Sequence, residues 1–232
     1  MNIGGLQKTS LIDYPGKISC ILFLSGCNFD CPYCHNPDLV RGAKTKPAID
    51  EQQLNHFLSK RKGLIDGVVI TGGEPTLQSD LEELCQMIKS MGFVIKLDTN
   101  GSRPGVLKQL IADHLVDFVA MDIKTDTDHY PMVMKNPTQL NRVIESIAVI
   151  MKKAPAYEFR TTCARPFVSA DIMENIGKMI RGAASYVLQS CSRNVDVLDP
   201  DFAAVDDHFL SVDDMEALKA AVLPFVENTR IR

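Results

Sequence analysis

The sequence predicts an α/β fold, an open, partial β/α barrel of about six strands, carried as a single domain over residues 1–232. Three observations lead there. Short β-branched runs alternate with longer segments of helical period, the mark of βαβ units and a parallel sheet. The strand-like runs number about six, short of the eight that close a barrel. The chemically unusual residues fall at the ends of those runs, where ligands gather in such folds.

Strands are expected at Ile18–Leu24, Gly67–Thr71, Val94–Asp98, Phe118–Ile123, Tyr157–Thr162 and Tyr186–Gln189. Between them, "DEQQLNHFLSKRK", "SDLEELCQMIKSMG", "PGVLKQLIADH", "NPTQLNRVIESIAVIMKKA" and "SADIMENIGKMIRGA" space apolar residues by three and four. Several open on Asp, Ser or Asn-Pro, which start helices. The acid-rich stretch Asp196 to Glu216 reads as a solvated loop leading into a last helix, "SVDDMEALKAAVLPFV". At the strand ends stand "SGC", "TGGEP", "DTNG", "MDIK", "RTTC" and "LQSC" in turn.

The formal net charge of −4 argues against nucleic acid as the main partner. The opening "MNIGGLQKTSLIDYPGK" lacks the basic head and apolar run of a signal peptide, and "ILFL" is too short to span a bilayer. A cytoplasmic protein without membrane contact is expected, with its thiols reduced. Seven cysteines, an odd number, fit metal or redox chemistry better than disulfides. Cys20 and Cys85 fall on apolar faces and are expected in the core; Cys163 and Cys191 follow neighbouring strands near the site.

"SGCNFDCPYCHNP", residues 25–37, gathers Cys27, Cys31 and Cys34 on one loop. "CPYCH" fits c-type haem attachment but leaves Cys27 unexplained. A structural zinc would recruit a second Cys or His pair, and no second C-x-x-C follows. An iron–sulfur cube held by three thiolates keeps one iron open for a ligand.

The C-x-x-x-C-x-x-C spacing after a first strand, with Tyr33 before the third cysteine and "GGEP" at the next strand end, resembles the radical S-adenosylmethionine (SAM) superfamily. "TSLIDYPGKIS" and "FLSGCNFDCPYCHNPDLV" resemble the anaerobic ribonucleotide reductase activating proteins and the activators of pyruvate formate-lyase. The resemblance runs from about Thr9 to Val40 and recurs at "TGGEP", "DTNG", "MDIK" and "EFRTT".

It implies a barrel of the radical SAM type and a [4Fe–4S] cluster with Cys27, Cys31 and Cys34 on three irons. S-adenosylmethionine would chelate the fourth, and one electron would cleave it to a 5′-deoxyadenosyl radical. No catalytic residue beyond cluster and cofactor is implied. Gly72 and Gly73 would let backbone approach the cofactor, and Glu74 would accept from its ammonium. Asp98, Thr99 and Asp122 would line a small monovalent-cation site beside the methionine carboxylate. Tyr33 would lie against the adenine; Lys124 would stand near cofactor or substrate. Arg160, beside apolar Phe159 on an inner strand, needs a partner, for which the cofactor's carboxylate is a candidate. No glycine-rich adenine motif is evident at the fifth strand.

The implied partners are a large glycyl-radical enzyme, foremost anaerobic ribonucleotide reductase, and a one-electron donor such as flavodoxin or ferredoxin. Two alternatives stand beside this: a radical enzyme acting on a small molecule, as deazapurine-forming relatives do, and a non-catalytic zinc or iron–sulfur module.

Overall fold

The computed structural model describes residues 2–41 and 49–232. Eight strands form one sheet in sequential order: β1 (Ile3–Ser10), β2 (Ser19–Leu24), β3 (Gly67–Gly72), β4 (Val94–Thr99), β5 (Phe118–Asp122), β6 (Tyr157–Cys163), β7 (Tyr186–Ser190) and β8 (Thr229–Ile231). The pair β1–β2 is antiparallel and every later pair is parallel. No pairing joins β1 to β8 among the described residues, so the sheet curls without closing.

The six expected strands correspond to β2–β7. The two edge strands are additions. Two glycines and "QKTS" give β1 no clean alternation, and β8 has only three residues. Both are strands because a neighbour's ladder is there to pair with.

The short α1 (Pro37–Val40) lies beside the cysteine loop. The helices α2 (Glu51–Arg61), α3 (Leu81–Ser90), α4 (Pro104–Ala112), α5 (Leu140–Lys153) and α6 (Ala170–Met179) cover the outer face. The short α7 (Pro200–Ala203) again flanks the cysteine loop, and α8 (Val212–Val222) returns to the outer face. Their starts follow local chemistry. Asp50 and Ser211 form capping boxes with Gln53 and Asp214, and Ser169 accepts from the Ile172 amide. No described helix is long and apolar enough to cross a membrane.

Strand periodicity divides the side chains. Leu22, Leu24, Val68, Ile70, Ile95, Leu97, Val119, Met121, Phe159 and Leu188 point outward into the main core beneath the helices. Cys20 and Cys85 belong to that core, their thiols pushed up to about 12 by burial. On the concave face, Ile21, Val69 and Tyr14 make a small apolar floor. Above it the inward residues turn polar.

The stretch from Asp196 to Glu216 is not a solvated loop. Val197, Phe202 and Phe209 are buried in it, and it contains α7. Its Leu198 and Asp199 amides donate to the Cys34 and Pro32 carbonyls, both at 3.0 Å. Its aspartates are largely exposed, while Phe202 packs against Tyr33 of the cysteine loop.

Candidate active site

A cavity of about 530 Å³ opens at the carboxyl ends of the strands. The cysteine loop forms one wall, and Cys27, Cys31 and Cys34 all line the space. The loop is fastened on three sides. The Asp30 amide donates to the Val133 carbonyl at 2.8 Å, the Leu198 and Asp199 amides reach it from the other flank, and the β3 turn grips its start.

That third attachment explains the glycine pair. The Glu74 amide donates to the Gly26 carbonyl at 2.8 Å, and a Cβ on Gly73 would stand 2.1 Å from that oxygen. Gly72 has φ +120, with the Leu24 backbone 2.4 Å from any added Cβ. The glycines line the cavity, and the backbone they admit is that of the chain's own cysteine loop.

Glu74, expected to accept from a ligand's ammonium, accepts from the chain's own donors. It is fully buried and does not line the cavity. Its carboxylate caps the turn after β3 by accepting from the Thr76 amide and hydroxyl, then from the Thr99 hydroxyl at 2.8 Å and the Asn100 amide at 2.6 Å. Burial raises its pKa although all these donors oppose the shift. With both oxygens accepting from the chain itself, Glu74 ties the β3 turn to the β4 turn. Thr99 serves the same tie.

Across the concave face runs a ladder of alternating charge. The Lys96 ammonium pairs with Asp98. Arg160 donates to Asp98 at 3.1 Å and to Asp122 at 2.8 Å, and Lys124 pairs with Asp122 at 3.0 Å. Burial alone would raise Asp122, yet Arg160 and Lys124 hold it well below the usual carboxylate range. Arg160 and Lys96 likewise depress Asp98. Against the cost of burial, Asp122 and Cys31 raise the pKa of Lys124 and keep it charged. The guanidinium of Arg160 thus stands between the two carboxylates expected to flank a metal cation, and offsets their repulsion. Arg160 is paired, as its inner position required, though its partners are protein carboxylates.

Tyr33 is buried against Phe167 and Phe202, with ring centres 5.1 and 6.1 Å away. It also lines the cavity, and its hydroxyl has no hydrogen-bond partner. His35 and Asn36 line the rim, and His35 Nε2 lies 3.8 Å from the Cys191 thiol. Cys163 is fully buried in the core.

Sequence reasoning passed over Lys96, Asn28 and Asn100. Asn100 Nδ2 donates to Asn28 Oδ1 at 3.0 Å and lies 3.9 Å from Cys27 Sγ. A signal for Lys96 existed: a lysine two residues before Asp98 on an inward strand face needs a counter-charge.

The donor set fits an iron–sulfur centre. Three soft thiols share one cavity on a loop fastened from three sides, and thiolates hold such clusters. Burial pushes Cys27 up to about 11 and Cys31 up to about 12, so ligation has to deprotonate them. The Lys124 charge favours both thiolates. Among the described residues no three Cys, His, Asp or Glu donors converge on a single ion. A cube with one thiolate per iron needs no such convergence.

The radical SAM superfamily profile matches residues 21–163. A Methanocaldococcus jannaschii protein, whose name assigns it to the glycyl-radical enzyme activating enzymes, is 34% identical over 194 residues. The match covers 81% of this chain and 78% of that one. A 7-carboxy-7-deazaguanine synthase of Thermococcus kodakarensis is 24% identical over 193 residues, covering 75% of this chain and 74% of its own. Among solved structures, Streptococcus suis SuiB bound to precursor peptide SuiA superposes with a TM-score of 0.64. It does so at 14% identity, over 91% of this chain and 48% of that one, a likeness of fold. The chain belongs to the radical SAM superfamily and is an enzyme of radical chemistry, a family that implies a [4Fe–4S] cluster and S-adenosylmethionine.

Proposed function

We propose that this radical SAM enzyme is a glycyl-radical enzyme activase whose partner is a large enzyme of the anaerobic ribonucleotide reductase class. Cys27, Cys31 and Cys34 would hold three irons of the cluster. When bound and reduced by a donor such as flavodoxin or ferredoxin, cluster and S-adenosylmethionine supply a 5′-deoxyadenosyl radical. Methionine would leave in that cleavage, and a hydrogen atom from the partner's glycine Cα would pass to the 5′ carbon, leaving the radical on the glycine.

The chain's own residues have three tasks. Lys124, held charged by Asp122 between the ladder and the thiols, offsets negative charge on the cysteine loop. The Asp98–Arg160–Asp122 ladder fixes the ends of β4, β5 and β6 relative to one another. Gly72 and Gly73 set the cysteine loop against β3. A monovalent cation near Asp98, Thr99 and Asp122 would have to share carboxylates already engaged by Arg160. Tyr33, on the loop that lines the cavity, would meet the adenine. One domain, working in the cytoplasm, suffices for these roles.

The observation that carries this reading is the open side of the cavity. Its walls extend from Ile12 beyond β1 to Arg232 beyond β8, the two unjoined edges of the sheet. Leu11 and Ile12 stand 73% and 75% exposed beside that opening. Apolar surface at an open mouth supports a protein partner over a small enclosed substrate. Reduced enzyme, S-adenosylmethionine and the purified reductase should yield a glycyl doublet by electron paramagnetic resonance. Deoxyadenosine release without that doublet removes the proposal. The second reading, favoured by the match to the deazaguanine synthase, is a small heterocyclic substrate in the same cavity.

A further inference from the structure

Beyond the charge ladder the concave face carries a second set of polar side chains. Thr162 on β6 and Gln189 on β7 are register partners. The Arg232 amide donates to the Leu188 carbonyl at 2.8 Å, and its carbonyl accepts from the Ser190 amide at 3.1 Å. Those two bonds bracket Gln189 and place Arg232 opposite it. Thr162, Gln189 and Arg232 therefore form one row across three adjacent strands, and all three line the cavity.

The row differs from the ladder beside it. Asp98, Asp122, Lys124 and Arg160 are bound to one another, whereas none of the three row side chains has a hydrogen-bond partner among the described residues. Two strand spacings make the row about 10 Å long, the length of about three residues of extended peptide. A hydroxyl and a carboxamide each donate and accept, and a guanidinium donates only. Main-chain amides can use that mixture: each residue offers one donor and one acceptor, and the guanidinium serves the acceptors. A glycine offers no side chain, so a site that selects one has to hold the flanking backbone.

Resting on the activase reading above, we propose that Thr162, Gln189 and Arg232 form a backbone clamp. It seats the partner's glycine segment in extended form, running from the ladder to the open edge beyond β8.

The probe is acetyl-Ala-Ala-Gly-Ala-Ala-amide, titrated by nuclear magnetic resonance into unreduced enzyme carrying cluster and S-adenosylmethionine. Replacing an amide next to glycine by an ester removes one donor and weakens one acceptor. This should weaken binding to the unaltered enzyme two- to tenfold. In Gln189→Met and Thr162→Val the ester should cost nothing further, because the partner atom is gone, whereas Thr162→Ser should keep the sensitivity. Equal ester cost in all variants overturns the clamp. No peptide binding, with a glycyl doublet still formed on the purified reductase, overturns the clamp and spares the activase reading. Binding of 7-carboxy-7-deazaguanine that weakens in Arg232→Gln, with no peptide binding and no doublet, overturns both.

Discussion

Phe159 and Arg160 are neighbours on one strand and live in opposite worlds. Phe159 points out into the core under the helices; Arg160 points in, between two carboxylates. The same contrast holds along most of the sheet. On the outer face each side chain is held by many interchangeable apolar contacts. On the inner face the ladder side chains are held by one or two specific charge partners that a near-equivalent residue does not replace. Stability is spread over one face, and chemistry is concentrated on the other.

The contrast is tested most severely at the cysteine loop. Cys31→Ala should abolish the iron centre and all cofactor cleavage, read as iron and sulfide content and as 5′-deoxyadenosine released, while urea unfolding of metal-free protein barely moves. Large losses of metal-free stability would show that the loop is core rather than site.

Phe159→Ala is the outer-face counterpart. It should cost about 3–5 kcal/mol in urea unfolding, with deoxyadenosine yield per folded molecule unchanged. Arg160→Met, one residue along, should cost about 3–5 kcal/mol because Asp98 and Asp122 then lose the cation between them and keep only Lys96 and Lys124. Its signature is the pH dependence. In the unaltered protein both carboxylates have depressed pKa values, so their contribution is present above the ordinary carboxylate range and is lost as pH falls through the folded values. Without the guanidinium those values rise, and acid unfolding should begin at higher pH. Arg160→Lys should recover only part, since one ammonium does not bridge two carboxylates as a planar fork does. Phe159→Ala should lower stability by a similar amount at every pH.

Smallest is Gly73→Ala. A methyl 2.1 Å from the Gly26 carbonyl has no room, so the β3 turn and cysteine loop must part. A cost of about 1–3 kcal/mol is expected, with lower iron retention on dilution. If iron retention is normal, the glycine pair is not what positions the loop.

The two faces were not equally legible. Outward residues announce themselves by period, so β2–β7 and most of the helices follow from apolar spacing and start signals. Inward residues announced their need without naming the answer. Arg160 had to be paired, but its partners lie 62 and 38 positions away in sequence. Glu74 was half legible for a related reason. A carboxylate after two glycines at a strand end suits a ligand, and only the approach of Thr76, Thr99 and Asn100 shows that its oxygens are already engaged. Acid content likewise disguised Asp196 to Glu216, where the buried Val197, Phe202, Phe209 and Met215 outweigh a run of solvated aspartates.

By itself the sequence determined the alternation of strands and helices, the cysteine triad on one loop, and the strand-end placement of polar motifs. These depend on residues close together along the chain, where period and spacing carry the information. Only the tertiary structure decided which carboxylates meet which cations, that the glycines yield to the chain's own backbone, and that Thr162, Gln189 and Arg232 share one row. Each of those depends on strand register and sheet curvature. Both are fixed by packing the whole outer face at once, so no local stretch of sequence contains them.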